Sequence, residues 1–399
     1  MTRAIPVSIL FALGLAAEDW PEFRGPGGQG HSASKRVPAE WSETSNIRWK
    51  ADLPGKGWSS PSVRDGKVWV TSATDGGKSL RLLAFDAGSG KPLRDIEVFR
   101  LDDPKKMHAK NSHASPTPLV DGNRVYVHFG AHGTACVRTD GKILWKTKLE
   151  YDHRHGTGGS PALVGNLLVF NCDGYDSQYV VALDRRTGEV RWKSPRKGYQ
   201  AYTTPLLIRV DGQDQIMSVG AHRAVAYDPE TGAEIWSVRY AKGYSNVPRP
   251  VFGHGMVFIS AGFDEPLFLA VRTGGKGDVT DTHIAWSLKK GAPLTPSPLL
   301  IGDEIYLISD NGIASCLDAR TGTRHWQERI GGNHSASPIF AGGRIYFLSE
   351  EGESVAVQPG KEFKKLGANQ LDGRFLASMA VTDGALFLRA EKHLYRIGK

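Results

Sequence analysis

The sequence predicts an all-β protein, an eight-bladed β-propeller of four-stranded antiparallel blades whose ring is closed by an N-terminal strand completing the last blade. Three observations carry this. A proline with an apolar triplet seven residues later recurs along nearly the whole chain. A turn of the form D-x-x-T-G recurs too, with a tryptophan four residues beyond its glycine. The last repeat ends one strand short at Lys399, while a strand of the right type stands near the N-terminus.

The proline alignment runs Pro61, Pro118, Pro161, Pro205, Pro250, Pro298 and Pro338, and Met379 closes it, at separations of 57, 43, 44, 45, 48, 40 and 41 residues. Typical triplets are Val68-Trp69-Val70, Val125-Tyr126-Val127 and Ile305-Tyr306-Leu307. Units of ~40–50 residues that carry strand signals alone are the signature of a propeller. Each unit reads as four strands, the third leading into the D-x-x-T-G turn: Asp184 to Gly188, Asp228 to Gly232, Asp318 to Gly322, and Asp86 to Gly90 with Ser for Thr. Asp accepts backbone hydrogen bonds inside such a turn, and Gly takes the left-handed conformation it needs.

Trp145, Trp192, Trp236 and Trp326 follow these turns on the outer strands, and Trp286 matches after an insertion. An indole there is expected to wedge between neighbouring sheets. Its burial of ~150–250 Å² contributes roughly 4–6 kcal/mol gross. Ile47-Arg48-Trp49-Lys50 carries the Trp-Lys pair of Trp145-Lys146 and Trp192-Lys193, so it is assigned to the unfinished last blade. Closure removes exposed sheet edges.

Composition agrees. Of 399 residues, 40% are hydrophobic and 23% charged, which allows a sizeable core and excludes disorder as the main state. No apolar run approaches the ~20 residues of a membrane-spanning helix. Arg3, the apolar stretch Ile5 to Leu15 and the small residues Gly14, Ala16 and Ala17 read as a secretory signal over residues 1–17. A leader over 18–45 and the propeller over 46–399 follow, giving a periplasmic or secreted monomer. The three cysteines Cys136, Cys172 and Cys316 make neither a disulfide framework nor a C-x-x-C motif. Cys136 and Cys316 read as small buried fillers.

In a propeller the loops entering the innermost strands converge at one channel mouth, where ligand sites are expected. The residue before each aligned proline or Met379 is Ser or Thr in seven blades (Ser60, Thr117, Ser160, Thr204, Ser297, Ser337, Ser378) but Arg249 in the fifth. Arg249 is either an axial anion-binding group or the partner of a carboxylate. The same loops carry Lys56, Trp58, His113, Tyr199, Tyr202, Tyr244, Asn246, His334 and Arg374, a basic and aromatic rim suited to an acidic planar ligand, or simply a solvated charged surface. The longest connection, residues 97–115, is a second place to look for function. His113, His155 and His334 lie on different blades, as do Asp173, Asp310, Glu350 and Glu391, so no metal site is expected. Nucleophile elbow, P-loop and dinucleotide fingerprint are absent. The net charge of +8 tolerates acidic partners, and export argues against nucleic acid.

The repeat A-x-D-x-x-T-G-x-x-x-W resembles the pyrroloquinoline-quinone (PQQ) repeat of eight-bladed quinoprotein-type propellers, and the leader Asp19-Trp20-Pro21-Glu22-Phe23-Arg24-Gly25-Pro26 resembles that of secreted PQQ-like proteins. The resemblance implies one of two branches: quinoprotein alcohol dehydrogenases, which bind PQQ and calcium and use an Asp base, or non-catalytic BamB-like scaffolds of the cell envelope. The dehydrogenases are much longer and carry two adjacent cysteines, absent here; the scaffolds carry a lipidated Cys, for which this leader offers none. A binding or scaffold role for an envelope protein partner or an acidic small molecule is therefore expected. A PQQ-dependent oxidoreductase is the alternative, with PQQ and calcium open as cofactors but disfavoured.

Overall fold

In the computed structural model, residues 19–398 are described, and the predicted signal segment lies outside them. Eight sheets follow one another around a central channel. In blade one the strands run Ser62–Arg64, Lys67–Thr74, Ser79–Asp86 and Pro92–Arg100, from the channel outward. Each later blade repeats this antiparallel meander.

Ring closure is as the tryptophan pairing predicts. Ile47–Asp52 forms the outer strand of blade eight, antiparallel to His393–Ile397, with Lys50 opposite Tyr395. The first strand thus holds the last, covering the edge of His393–Ile397 at the join.

The tryptophans lock blade to blade. Trp49 Nε1 donates to Ala87 O, Trp145 to Arg185 O, Trp192 to Pro229 O, Trp286 to Ala319 O and Trp326 to Gly360 O, at 2.9–3.1 Å, each acceptor lying in the third-to-fourth connection of the next blade. The turn glycine matters twice at Gly188: its φ is +77°, and a Cβ there would come within 2.5 Å of the Trp145 ring.

One blade departs from four strands. Blade five inserts a segment between Leu267–Arg272 and Ile284–Leu288, and its Gly277–Asp278 pairs in parallel with Glu234–Arg239, making blade four five-stranded. The insertion replaces the turn that Trp236 would meet, so the Trp236 indole donates to Gln215 Oε1 within its own blade.

Candidate functional site

A belt of hydrogen bonds circles the channel at the residues before the aligned prolines. Each backbone N–H donates to the hydroxyl of the next blade: Ser60 to Thr117, Thr117 to Ser160, Ser160 to Thr204, Arg249 to Ser297, Ser297 to Ser337, Ser337 to Ser378, and Ser378 back to Ser60, at 2.9–3.1 Å. These hydroxyls are the joints of the ring. The belt lacks one step, from Thr204 to residue 249, because an arginine offers no acceptor.

Arg249 instead reaches into the channel. Its Nη1 lies 3.1 Å from Glu22 Oε2 and 2.7 Å from Phe23 O, and its Nε donates to Pro205 O. Of the two readings of this residue, the carboxylate pair is the one observed. Glu22 belongs to the leader, which fills this end of the channel. Trp20 exchanges backbone hydrogen bonds with Val63, Pro21 O accepts from Val120 N, and Gly30 and Ser32 pair with Phe340. The inner strands of blades one, two and seven thereby satisfy channel-facing groups with the chain's own leader. Arg24, fully buried, donates to Gln29 O and Pro298 O.

The opposite mouth is covered by the connection between blades one and two, a strap over residues 101–115. It is held at Leu101 N to Lys78 O, by Lys105 Nζ to Asp152 Oδ1, and by Lys110 Nζ to Glu350 Oε1 at 2.8 Å on blade seven. Between the strap and blade one lies a cavity of about 610 Å³, lined by Lys56, Asp75, Met107, His108, Asn111 and His113 among others. Beside it His113, His132 and His153 form a chain of rings, with centroids 6.0 and 4.7 Å apart. Burial pushes His128 and His153 down to about 3 and His132 to about 4. Among the described residues no group of three or more His, Cys, Asp or Glu is placed to hold a metal ion.

The predicted rim residues divide accordingly. Lys56 and His113 share the cavity wall, with His113 Nε2 2.8 Å from Lys105 O. Trp58 is buried beneath this mouth, with the Arg374 guanidinium 5.7 Å from its ring centroid. Tyr202 O–H lies 3.1 Å from His155 Nδ1, and burial raises its pKa. Three expectations need correction. Arg249 is enclosed with the leader rather than presented at the mouth. Asn246 is buried, with its amide donating to Gly220 O and accepting from Gly262 N, so it ties two turns together. His334 is buried with both ring nitrogens on carbonyls, Leu348 O and Gly331 O. Their polar atoms are engaged inside the fold.

Two aromatic residues of the rim read from the sequence, Tyr199 and Tyr244, join Phe263 in a run of rings on the strap face. Tyr199, Tyr244 and Phe263 follow one another at 6.1 and 6.2 Å, and Tyr199 and Phe263 are 54% and 64% exposed. A signal existed, since Lys-Gly-Tyr occurs in two successive connections, Lys197-Gly198-Tyr199 and Lys242-Gly243-Tyr244.

The carboxylates do not suit a quinone with calcium. Asp173 is clamped by Arg196, Asp310 Oδ2 accepts from Leu294 N, and Glu350 holds Lys110 and Ser335. Each is already engaged, Glu350 by the strap as well as by Ser335, and the cysteines are separate and buried.

An eight-membered ring of such repeats, locked by tryptophan and closed by its first strand, defines a PQQ-like repeat propeller. The family described as outer membrane protein assembly factor BamB matches residues 32–175, 105–328 and 176–398, and the chain belongs to it. The outer membrane protein assembly factor BamB of Burkholderia pseudomallei (strain K96243) is 28% identical over 302 residues, 68% of this chain and 70% of that protein. Among solved structures, BamB from Moraxella catarrhalis superposes with a TM-score of 0.64 at 12% identity, covering 88% of this chain and 97% of that one. The quinohemoprotein alcohol dehydrogenase ADHIIG of Pseudomonas putida HK5 gives 0.62 at 12% identity over 95% and 80%. The computationally designed Ika8 protein gives 0.62 at 13% over 89% and 100%. A scaffold, an enzyme and a design share this shape, so likeness at this level speaks for the fold and function must be argued from sites.

Proposed function

We propose that the protein is an exported scaffold of the cell envelope that docks a protein partner on its strap face during outer-membrane protein assembly. The run Tyr199–Tyr244–Phe263, exposed at both ends and half-buried at its centre, is the observation that carries this reading. Contiguous exposed aromatic rings are unusual on a surface without a partner, and such rings dominate the energetics of protein interfaces. Lys242, two residues before Tyr244, pairs with Glu265, two residues after Phe263, so the edge of the run carries both charges. The rings favour a partner that presents an apolar segment. The BamB relatives supply the process, and the predicted signal supplies the compartment. No helix among the described residues is long and apolar enough to cross a membrane.

The test is binding of the full-length protein to the purified outer-membrane assembly barrel of the same organism. Phe263→Ser with Tyr199→Ser should weaken binding at least tenfold, since one interface aromatic carries about 2 kcal/mol. Unchanged affinity would move the docking face elsewhere, and failure of the parent protein to bind would remove the assembly role. The dehydrogenase alternative is not favoured. Dye reduction with added PQQ, calcium and alcohols would restore it.

A further inference from the structure

We infer that Arg389 forms a binding site for a small oxyanion at the joint between blades eight and one. Arg389 ends the second strand of blade eight, Ala385–Arg389, where the same register holds Thr71 in blade one and Ile308 in blade six. Its side chain is fully buried. Nη1 is occupied, donating to Ser59 Oγ at 2.6 Å, Thr71 O at 2.8 Å and Ser59 O at 3.3 Å. Nε and Nη2 have no hydrogen-bond partner.

Those two atoms are not an arbitrary pair. They form the side-on fork of the guanidinium, two parallel N–H groups that match two oxygens of one carboxylate, sulfate or phosphate. The molecule contains its own reference for this geometry. Arg196, equally enclosed, uses the same Nε and Nη2 fork to grip both oxygens of Asp173. The other buried arginines are also served: Arg249 by Glu22, and Arg24 through both Nη atoms by carbonyls. Among the described residues, Arg389 is the buried guanidinium whose whole fork is empty.

Gly57 packs against the same guanidinium. Its φ is not in the left-handed region, so the backbone does not require glycine there. A Cβ would, however, lie 2.4 Å from Arg389 Nη2. The absence of a side chain lets the guanidinium keep its place. Burial alone pushes Arg389 down to about 9, with no carboxylate opposing the shift, so at neutral pH an uncompensated cation sits in the protein interior. A bound oxyanion supplies the missing charge and fills the fork at once. This site stands apart from the aromatic docking face and does not depend on the scaffold role.

The experiment follows the melting of the full-length protein as sodium sulfate, phosphate or acetate replaces sodium chloride at constant ionic strength. At least one of the three should stabilise saturably. Arg389→Lys, which keeps the charge and loses the fork, and Arg389→Gln should bind at least tenfold more weakly; Arg209→Gln, on the surface, should match the parent. Absence of saturable stabilisation by all three anions overturns the site, as does equal binding by the Arg389 variants. If neither variant folds, parent crystals soaked in selenate or bromoacetate decide. An anomalous peak within hydrogen-bonding reach of Nε and Nη2 upholds the site. None there with either scatterer overturns it.

Discussion

The Nζ of Lys110 lies 2.8 Å from Oε1 of Glu350, joining the connection after blade one to a turn of blade seven across the channel mouth. Ser335 Oγ donates to the same carboxylate oxygen, so Glu350 is held ready for the lysine. Lys110 is half exposed, and such a pair contributes about 1 kcal/mol or less. Lys110→Ala should therefore lower the melting temperature by no more than ~2 °C. Amide hydrogen exchange over residues 105–112 should nonetheless become several-fold faster. Unaltered exchange would assign the strap's order to Lys105–Asp152 and the backbone contacts alone.

Arg249 ties the leader to the ring, and its loss leaves Glu22 buried without a counter-charge. Arg249→Leu should cost roughly 3–5 kcal/mol, the range for breaking a buried pair on one side. Burial already holds the Glu22 carboxyl above its usual range against the pull of Arg249. Glu22→Gln should therefore cost less than Arg249→Leu. Urea melts of both variants and the double substitution give the coupling directly.

The tryptophan joints separate packing from hydrogen bonding. Trp192→Ala should cost about 3–5 kcal/mol by opening a void between blades three and four. Trp192→Phe keeps most of the packing and removes the bond to Pro229 O, a loss of about 1 kcal/mol plus the unfilled volume. Equal losses in the two variants would contradict the wedge.

Stability should fall as the solution is acidified from pH 6.5 towards 4. His128 and His153 are held near 3 by burial, so their folded values lie below the ordinary 6.5. The unfolded chain takes up protons first as pH drops, and stability present above pH 6.5 is lost on the way down. At about 1.4 kcal/mol per pH unit and group, the loss reaches roughly 3 kcal/mol each by pH 4. Glu22 and Asp173, raised by burial, act in the opposite sense at the acidic end. Denaturant melts across pH 4.5–7.5 for the parent and His153→Asn isolate the histidine share: the variant should show the shallower slope.

Much of this architecture could be read before any coordinate was known. Asp184, Gly188 and Trp192 define a turn and a wedge within nine residues, and that local chemistry is repeated until it becomes a period. The hydroxyls before the prolines were visible as a pattern, but their purpose was not, since each bonds to a residue at least 40 positions away. His334 and Asn246 looked like rim residues because their position in the loop is right. Residue type cannot report that both ring nitrogens or a whole amide are already occupied.

The sequence by itself determined the eight-fold repeat, the blade locks and the strand that closes the ring, because these follow from residue types at short, regular spacings. Only the tertiary structure decided that the leader fills one end of the channel, that a strap covers the other, and that Arg249 is paired while the fork of Arg389 is not. Charge and hydrogen-bond compensation depend on which groups meet after closure. Glu22 and Arg249 stand 227 positions apart, and Ser59 and Arg389 330.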